Sequence, residues 1–405
     1  MLKLLKVIVF LFLFVGTNML GYFGYKDNSF CAILVIISVL PLIQYSRGWT
    51  SSDINRVILF CFFAFFINFY LKERNLEALT MSMVCIGPLI MFFSLPNTQV
   101  YSTKKYCEFW RAVLGMIIIA FLLNSGMAII ERITGEHFFG LRGEELAYQI
   151  EDVGEVGFRS VAIYGHPLKN ALITSTFMSY VLTSPLKRKI KFTLWFVGYL
   201  AVLCFNERSS IIGNALLLIV YVGNVMRTRL VSSSLKFKYT FSLITASVIT
   251  YLLVMKAGLA GRLISMGLMD EGSAQTRLDI WEVFRYHRLS EFLYGISSHD
   301  MGMLAYSVGV TIIENFWLIY LFRMGLLFIL MYVILYFLLM KNIFREYWLF
   351  DKIFIVATFW LLASVNNSLA HGFMTLWYFL LLSVVFNPSF LRKIVNPKYI
   401  DVNWP

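Results

Sequence analysis

The chain is poor in charge. Asp, Glu, Lys and Arg make up only 14% of its 405 residues, against 59% hydrophobic residues. That balance excludes a soluble globular domain and makes lipid the expected solvent. Cysteine is scarce and scattered. Cys31, Cys61, Cys85 and Cys204 lie in apolar runs and Cys107 in a basic loop, with no CxxC or Cys/His spacing, so neither a disulfide framework nor a metal site is expected. The sequence also lacks an Asp-x-Asp motif, a P-loop and any cluster of outer Asp, Glu and His at ligand spacing. A nucleotide-sugar donor, a divalent metal and any other cofactor are therefore not expected. No low-complexity linker sets off a soluble domain, and no internal repeat is evident, which counts against the repeat-built secondary transporters.

What the chain does have is long apolar runs. A membrane-crossing helix needs roughly 20 apolar residues, fewer where it is packed inside a bundle. Stretches near 5–25, 29–45, 57–71, 76–95, 110–130, 167–183, 192–205, 211–226, 239–255, 314–340, 353–369 and 373–387 meet that need, and the first reads as an uncleaved span. The expected fold is all-α, a polytopic membrane bundle of about 12 transmembrane helices. The net charge of +12 does not form a basic face or a base-stacking module, so nucleic acid is not the expected partner.

The basic residues instead collect in alternate turns: Arg47/Arg56, Lys104/Lys105/Arg111, Lys187/Arg188/Lys189/Lys191, Arg227/Arg229/Lys236/Lys238, Lys341/Arg345/Lys352 and Arg392/Lys393/Lys398. This is the positive-inside pattern, and it puts both termini in the cytoplasm of a plasma membrane. The chain then divides into N-terminal spans (1–130), an outer loop (131–166), central spans (167–255), a larger outer loop (256–313) and C-terminal spans with a cytoplasmic tail (314–405). Chemistry is expected on the outer face, where the two long loops lie.

Four places there carry polar residues costly enough in a membrane protein to be functional candidates. In FRSVAIYGHPLKNA (158–171), Arg159 precedes a Gly-His-Pro turn, Pro167 fits the first helical position, and His166, Lys169 and the free amides face a potential anion. The plainer alternative is that Pro167 only starts the helix and Lys169 snorkels. In CFNERSSIIGNA (204–215), Arg208 either grips a phosphate or pairs with Glu207. The stretch 276–295 places Leu278, Trp281, Phe284, Arg285, His287 and Arg288 at helical spacing, an amphipathic surface helix whose cations Arg277, Arg285 and Arg288 call for an anionic partner or for ion pairs with Asp279, Glu282 or Glu291. Finally, Glu314 and Asn315 open the tenth span, and Arg323 follows eight residues later, about 12 Å deeper. The hairpin at Asn366, Asn367, Ser368 and His371 reads as a turn.

Taken in order, these motifs resemble the bacterial O-antigen polymerase and O-antigen ligase family, many-spanning membrane glycosyltransferases that act on lipid-linked glycans. The matching elements are Arg159 ahead of Gly165-His166-Pro167, Arg208-Ser209-Ser210 at a span start, Arg277 with Trp281 in the large outer loop, and Gly295 followed by Glu314-Asn315 and Gly325-Leu326-Leu327. The resemblance covers residues 155–387 and departs from the family where Glu314 stands in place of a frequent His. It implies a GT-C-like bundle in a bacterial inner membrane and an undecaprenyl-pyrophosphate-linked oligosaccharide as donor. It further implies Arg159, Arg208, Arg277 and Lys169 on the pyrophosphate, His166, Asn315 and Arg285 around the substrate, and Glu314 as base with His299 in reserve. Polymerisation of O-antigen or capsule-like repeat units is the expected reaction. Ligation to a lipid A core is the near alternative, and flipping or export of lipid-linked oligosaccharide is the alternative of a different class. Whether a chain-length regulator takes part stays open.

Overall fold

The computed structural model describes residues 2–16, 19–20, 34, 64–72, 82, 87–88, 104–139, 158–227, 233–257, 259, 261, 279–286, 288–310, 313, 315–365, 368–371 and 373–395. Among them every regular element is a helix. In chain order these are α1 (Leu2–Phe14), α2 (Lys104–Thr134), α3 (Pro167–Thr183), α4 (Arg188–Phe205), α5 (Arg208–Arg227), α6 (Ser233–Ala257), a 3-10 helix (Ile280–Tyr286), α7 (Leu289–Tyr294), α8 (Ser298–Ser307), α9 (Phe316–Met324), α10 (Leu326–Ile343), a second 3-10 turn (Phe344–Glu346), α11 (Leu349–Ser364), α12 (Ser368–His371), α13 (Phe373–Val385) and α14 (Pro388–Ile394). The spans expected near 29–45 and 76–95 lie almost wholly outside the described residues.

By length and composition, residues 107–134 and 208–227 can cross a membrane, with mean hydropathies of 2.4 and 1.7. A third candidate is the pair 374–385 and 388–394, bent by 71°. Their unburied faces are apolar. Ile119, Leu122 and Leu123 on α2, Leu216, Ile219 and Val220 on α5, and Phe237, Phe241, Ile244, Val248 and Tyr251 on α6 are all exposed. In water such stripes would aggregate, whereas against lipid they are the helix face that needs no partner.

The interior is built around α3. Every described position on this helix from Lys169 to Thr183 is buried, and α2, α4, α11 and α13 pack around it. A helix enclosed on all sides must satisfy its polar groups locally. Ser175, Thr176, Ser179 and Thr183 accordingly donate back to carbonyls three or four residues earlier. Asn214 of α5 reaches across to Ser175 Oγ at 2.6 Å.

Basic clusters gather at one end of the bundle. At the start of α2, Arg111 Nε donates to Ile394 O of α14 (2.8 Å). At the start of α4, the buried Lys191 donates to Leu182 O near the end of α3 (3.0 Å). Beyond α10, the Tyr347 hydroxyl donates to Ser383 O of α13 (2.7 Å). The ends of α1, α2 and α4 and the starts of α3 and α5 meet at the opposite end, called the outer end after the sidedness expected from sequence, where the candidate site lies.

The apolar run 314–340 is two helices. α9 stops at Gly325, and α10 folds back beside it: Tyr320 lies 5.6 Å from Tyr332, while Phe316 and Tyr336 both pack on Trp360. Tyr320 donates to Leu369 O beyond the end of α11, and Trp317 donates to Ser364 near that end. α9 therefore begins inside the bundle and climbs to the outer rim. Arg323 sits at the rim, and Asn315 is the deeper residue, the reverse of the depth order expected for a single span. Residues 280–294 likewise form two short helices broken at Arg288. Ile280 and Val283 are buried and Trp281 is exposed, so over these residues the surface helix expected for 276–295 is not one continuous helix; residues 276–278 and 287 lie outside the described residues.

Candidate functional site

The outer end of α2 presents Asn124, Ala128 and Glu131 at spacings of four and three, which places them on one helix face. The segment 158–164 lies along that face. Ser160 Oγ donates to Ala128 O (2.7 Å), Val161 N and Ala162 N donate to Glu131 Oε2 (2.8 and 3.0 Å), and Ile163 N donates to Asn124 Oδ1 (3.1 Å). Glu131 is fully buried, and its other oxygen accepts from Phe138 N (3.2 Å). His137 stands 3.7 Å from the same carboxylate and stacks on Phe158 at 4.4 Å, while Arg132 donates to Phe158 O.

This cradle forces a turn. Ala162 adopts φ +39° and Gly165 φ +81°. The left-handed region costs an alanine about 1–2 kcal/mol, which the two charge-assisted bonds to Glu131 on either side of its peptide offset. Asn170 then closes the turn from α3, its Nδ2 donating to Val161 O (2.6 Å) and His166 O (3.0 Å). Tyr164 ties the segment to α1 through Leu13 O (3.2 Å). Gly16 lies against the Ile163 carbonyl so closely that no Cβ fits there.

Arg159 is thus carried on a rigid segment, and that segment reaches the next candidate: Ser160 N donates to Cys204 O (3.1 Å), one turn before Arg208. Arg159 and Arg208, from loops far apart in sequence, stand on bonded neighbouring segments. Lys169 stands in the first turn of α3. It is 7% exposed and so does not snorkel. Glu207 turns its carboxylate onto the amides of Ser209 and Ser210 (3.2 and 2.5 Å), capping α5 instead of leaving its N-terminus to an anion.

Two other candidates are caps as well. His166 Nδ1 accepts from Leu168 N (3.2 Å) at the start of α3, and Asn315 Oδ1 accepts from Trp317 N and Leu318 N (2.9 and 3.3 Å) at the start of α9. One polar atom of each side chain is committed to backbone. Arg285 is exposed and paired with Glu282 (2.6 Å), the ion-pair alternative of the sequence reading. His299 is exposed in the first turn of α8. Arg277 and Glu314 lie outside the described residues.

The candidates therefore fall in two groups. Arg159, His166, Lys169 and Arg208 stand around the outer ends of α2 to α5, and Arg285, His299 and Asn315 belong to the elements around α9. α11 packs on α3 and α5 and meets α9 at Trp360 and Ser364, so it links the two groups. Glu131 and Asn124, which build the first group, were not singled out from sequence, and Asn170 was noted only beside Lys169 in the first turn of its helix; two polar residues seven apart on a mostly apolar span were the available signal for the first two. Among the described residues no group of three or more His, Cys, Asp or Glu could hold a metal ion. Compared with known proteins, the chain matches no protein-family model and no curated protein.

Proposed function

We propose that the chain is a membrane glycosyltransferase that polymerises polysaccharide repeat units on the outer face of a bacterial inner membrane, with both termini in the cytoplasm. The donor is an undecaprenyl-pyrophosphate-linked glycan. The oxygen of an acceptor sugar hydroxyl bonds to the donor's anomeric carbon, the bond to the pyrophosphate oxygen breaks, and the carrier leaves with that electron pair. The hydroxyl proton passes to a base, Glu314 or His299. Such a leaving group needs charge stabilisation more than protonation. The observation that supports the reading is the rigid placement of Arg159 beside the turn that carries Arg208, with Lys169 buried in the first turn of α3. Arg277 completes the cationic set in this proposal.

The test is the length distribution of surface polysaccharide from cells lacking the gene, complemented with wild type, Arg159→Ala or Arg208→Ala. A single capped repeat in place of a ladder, unrestored by either variant at normal membrane level, is the expected result. A drop of about 100-fold in polymer is the scale for losing one charge-stabilising donor. Ladders that persist on the lipid carrier and never reach the core lipid indicate a ligase instead.

A second reading, a flippase or exporter of lipid-linked oligosaccharide, is favoured by one observation: α9 begins inside the bundle, as the broken helices of transporters do. Single repeats trapped on the inner leaflet after gene loss would select it.

A further inference from the structure

Two chain reversals meet at the outer rim. α7 ends at Gly295 (φ +80°) and α9 at Gly325 (φ +80°). A Cβ on Gly295 would enter the Arg323 carbonyl and the Gly325 amide, and one on Gly325 would enter the Leu293 carbonyl and the Gly295 amide. The two backbones touch, and Ile296 N donates to Phe322 O at 2.7 Å across the contact. Both helices point their C-terminal, partially negative ends at this spot, so bringing them together without a cation is unfavourable.

The cation present is Lys72. Its ammonium donates to Tyr294 O at the end of α7 and to Arg323 O at the end of α9 (2.9 Å). One turn earlier on the helical stretch 64–72, Asn68 Nδ2 donates to Met324 O (3.2 Å). Phe65, on the same face, seats the stretch against Phe328 of α10 at 5.1 Å. Phe65, Asn68 and Lys72 at spacings of three and four present one stripe to the crossing.

We propose that the Gly295–Gly325 crossing is a binding site for a primary ammonium ion, filled by the chain's own Lys72, and that the occupied site keeps the α9–α10 hairpin folded into the bundle. The carbonyls of Tyr294 and Arg323 select a monocation that carries N–H donors, since a bare positive charge supplies the Coulomb term and not the two directed bonds. Lys72 is half-buried, so a small ammonium ion from solution reaches the place its side chain leaves when truncated. The inference is independent of the reaction proposed above.

The experiment is thermal unfolding of the full chain purified in detergent, as wild type, Lys72→Ala, Lys72→Met and Lys72→Arg. Each is measured in methylammonium chloride and in tetramethylammonium chloride at equal ionic strength. Lys72→Ala and Lys72→Met are expected to melt several degrees below wild type. Methylammonium restores at least half of that loss, tetramethylammonium restores little, and wild type responds to both alike. Lys72→Arg, which keeps the donors, melts close to wild type. Equal responses of the truncated variants to the two salts, an unchanged melting point on truncation, or a Lys72→Arg protein as unstable as Lys72→Ala would each overturn the proposal. If neither truncated variant can be purified, the Lys72→Arg comparison alone decides.

Discussion

Replacing Glu131 by Ala would strand the amides of Val161, Ala162 and Phe138, two of them donating to one oxygen in a dry environment. Each buried donor left unsatisfied costs about 1–3 kcal/mol, and Ala162 would lose the bonds that offset its left-handed backbone. The expected outcome is a Glu131→Ala protein with a clearly lowered melting point and faster proteolysis within 158–166. Glu136→Ala, removing an exposed carboxylate of the same loop, should leave both unchanged. Glu131→Gln is the sharper comparison. Its amide keeps one acceptor oxygen for Val161 N and Ala162 N and turns a donor only toward Phe138 N, so it should fall between wild type and Ala in stability. The sequence showed Glu131 only as one acidic residue in an acid-rich loop, because its role depends on a partner segment some thirty positions later. His166 and Asn315 were expected around the substrate; a polar side chain just before an apolar helix is a cap before it is a ligand, and in both places one polar atom caps the helix.

Among elements, α3 begins and ends at the residues the apolar run defines, Pro167 and Thr183. Pro167 marks the start from sequence alone. The run 314–340 shows the limit of the same logic. Hydropathy reports the solvent a residue prefers and says nothing of direction, so a helix that reverses at a glycine reads as one span if both arms are apolar. Gly325 was visible, but its positive φ was not. A paired substitution separates conformational strain from steric overlap. Gly135 also has positive φ (+70°) with open space around it, whereas Gly325 has backbone on the Cβ side. Gly135→Ala should cost about 1–2 kcal/mol, the strain alone. Gly325→Ala adds an overlap with Leu293 and Gly295 that no side-chain rotation relieves, and should cost about 3 kcal/mol or more or abolish accumulation in the membrane. Similar melting points for the two variants would mean that the α7–α9 contact does not persist in the membrane.

At the scale of the molecule, the reversal at Gly325 leaves the sidedness intact. α9 climbs from inside the bundle to the rim, so α10 still runs from the end that holds Gly295 to the end where Tyr347 meets Ser383. The two ends carry different sets of residues. Arg111, Lys191 and the α14 cations Arg392 and Lys393 gather at one, and the Glu131 cradle and the α7–α9 crossing stand at the other. Moving Lys-rich turns across a bilayer is the costly step in insertion, so the orientation expected from sequence keeps the basic end in the cytoplasm. That orientation is checked directly in a chain whose five cysteines are replaced and single cysteines returned at His299 or Lys393. A membrane-impermeant maleimide added to intact spheroplasts should label His299→Cys at once and Lys393→Cys only after permeabilisation. The reverse pattern would put the Arg159–Arg208 group in the cytoplasm, where a lipid-linked donor on the outer leaflet is out of reach, and the polymerase reading would fall with it. Labelling of both without permeabilisation would break the expected parity between α8 and α14 and return the count of crossings between residues 299 and 393 to an even number.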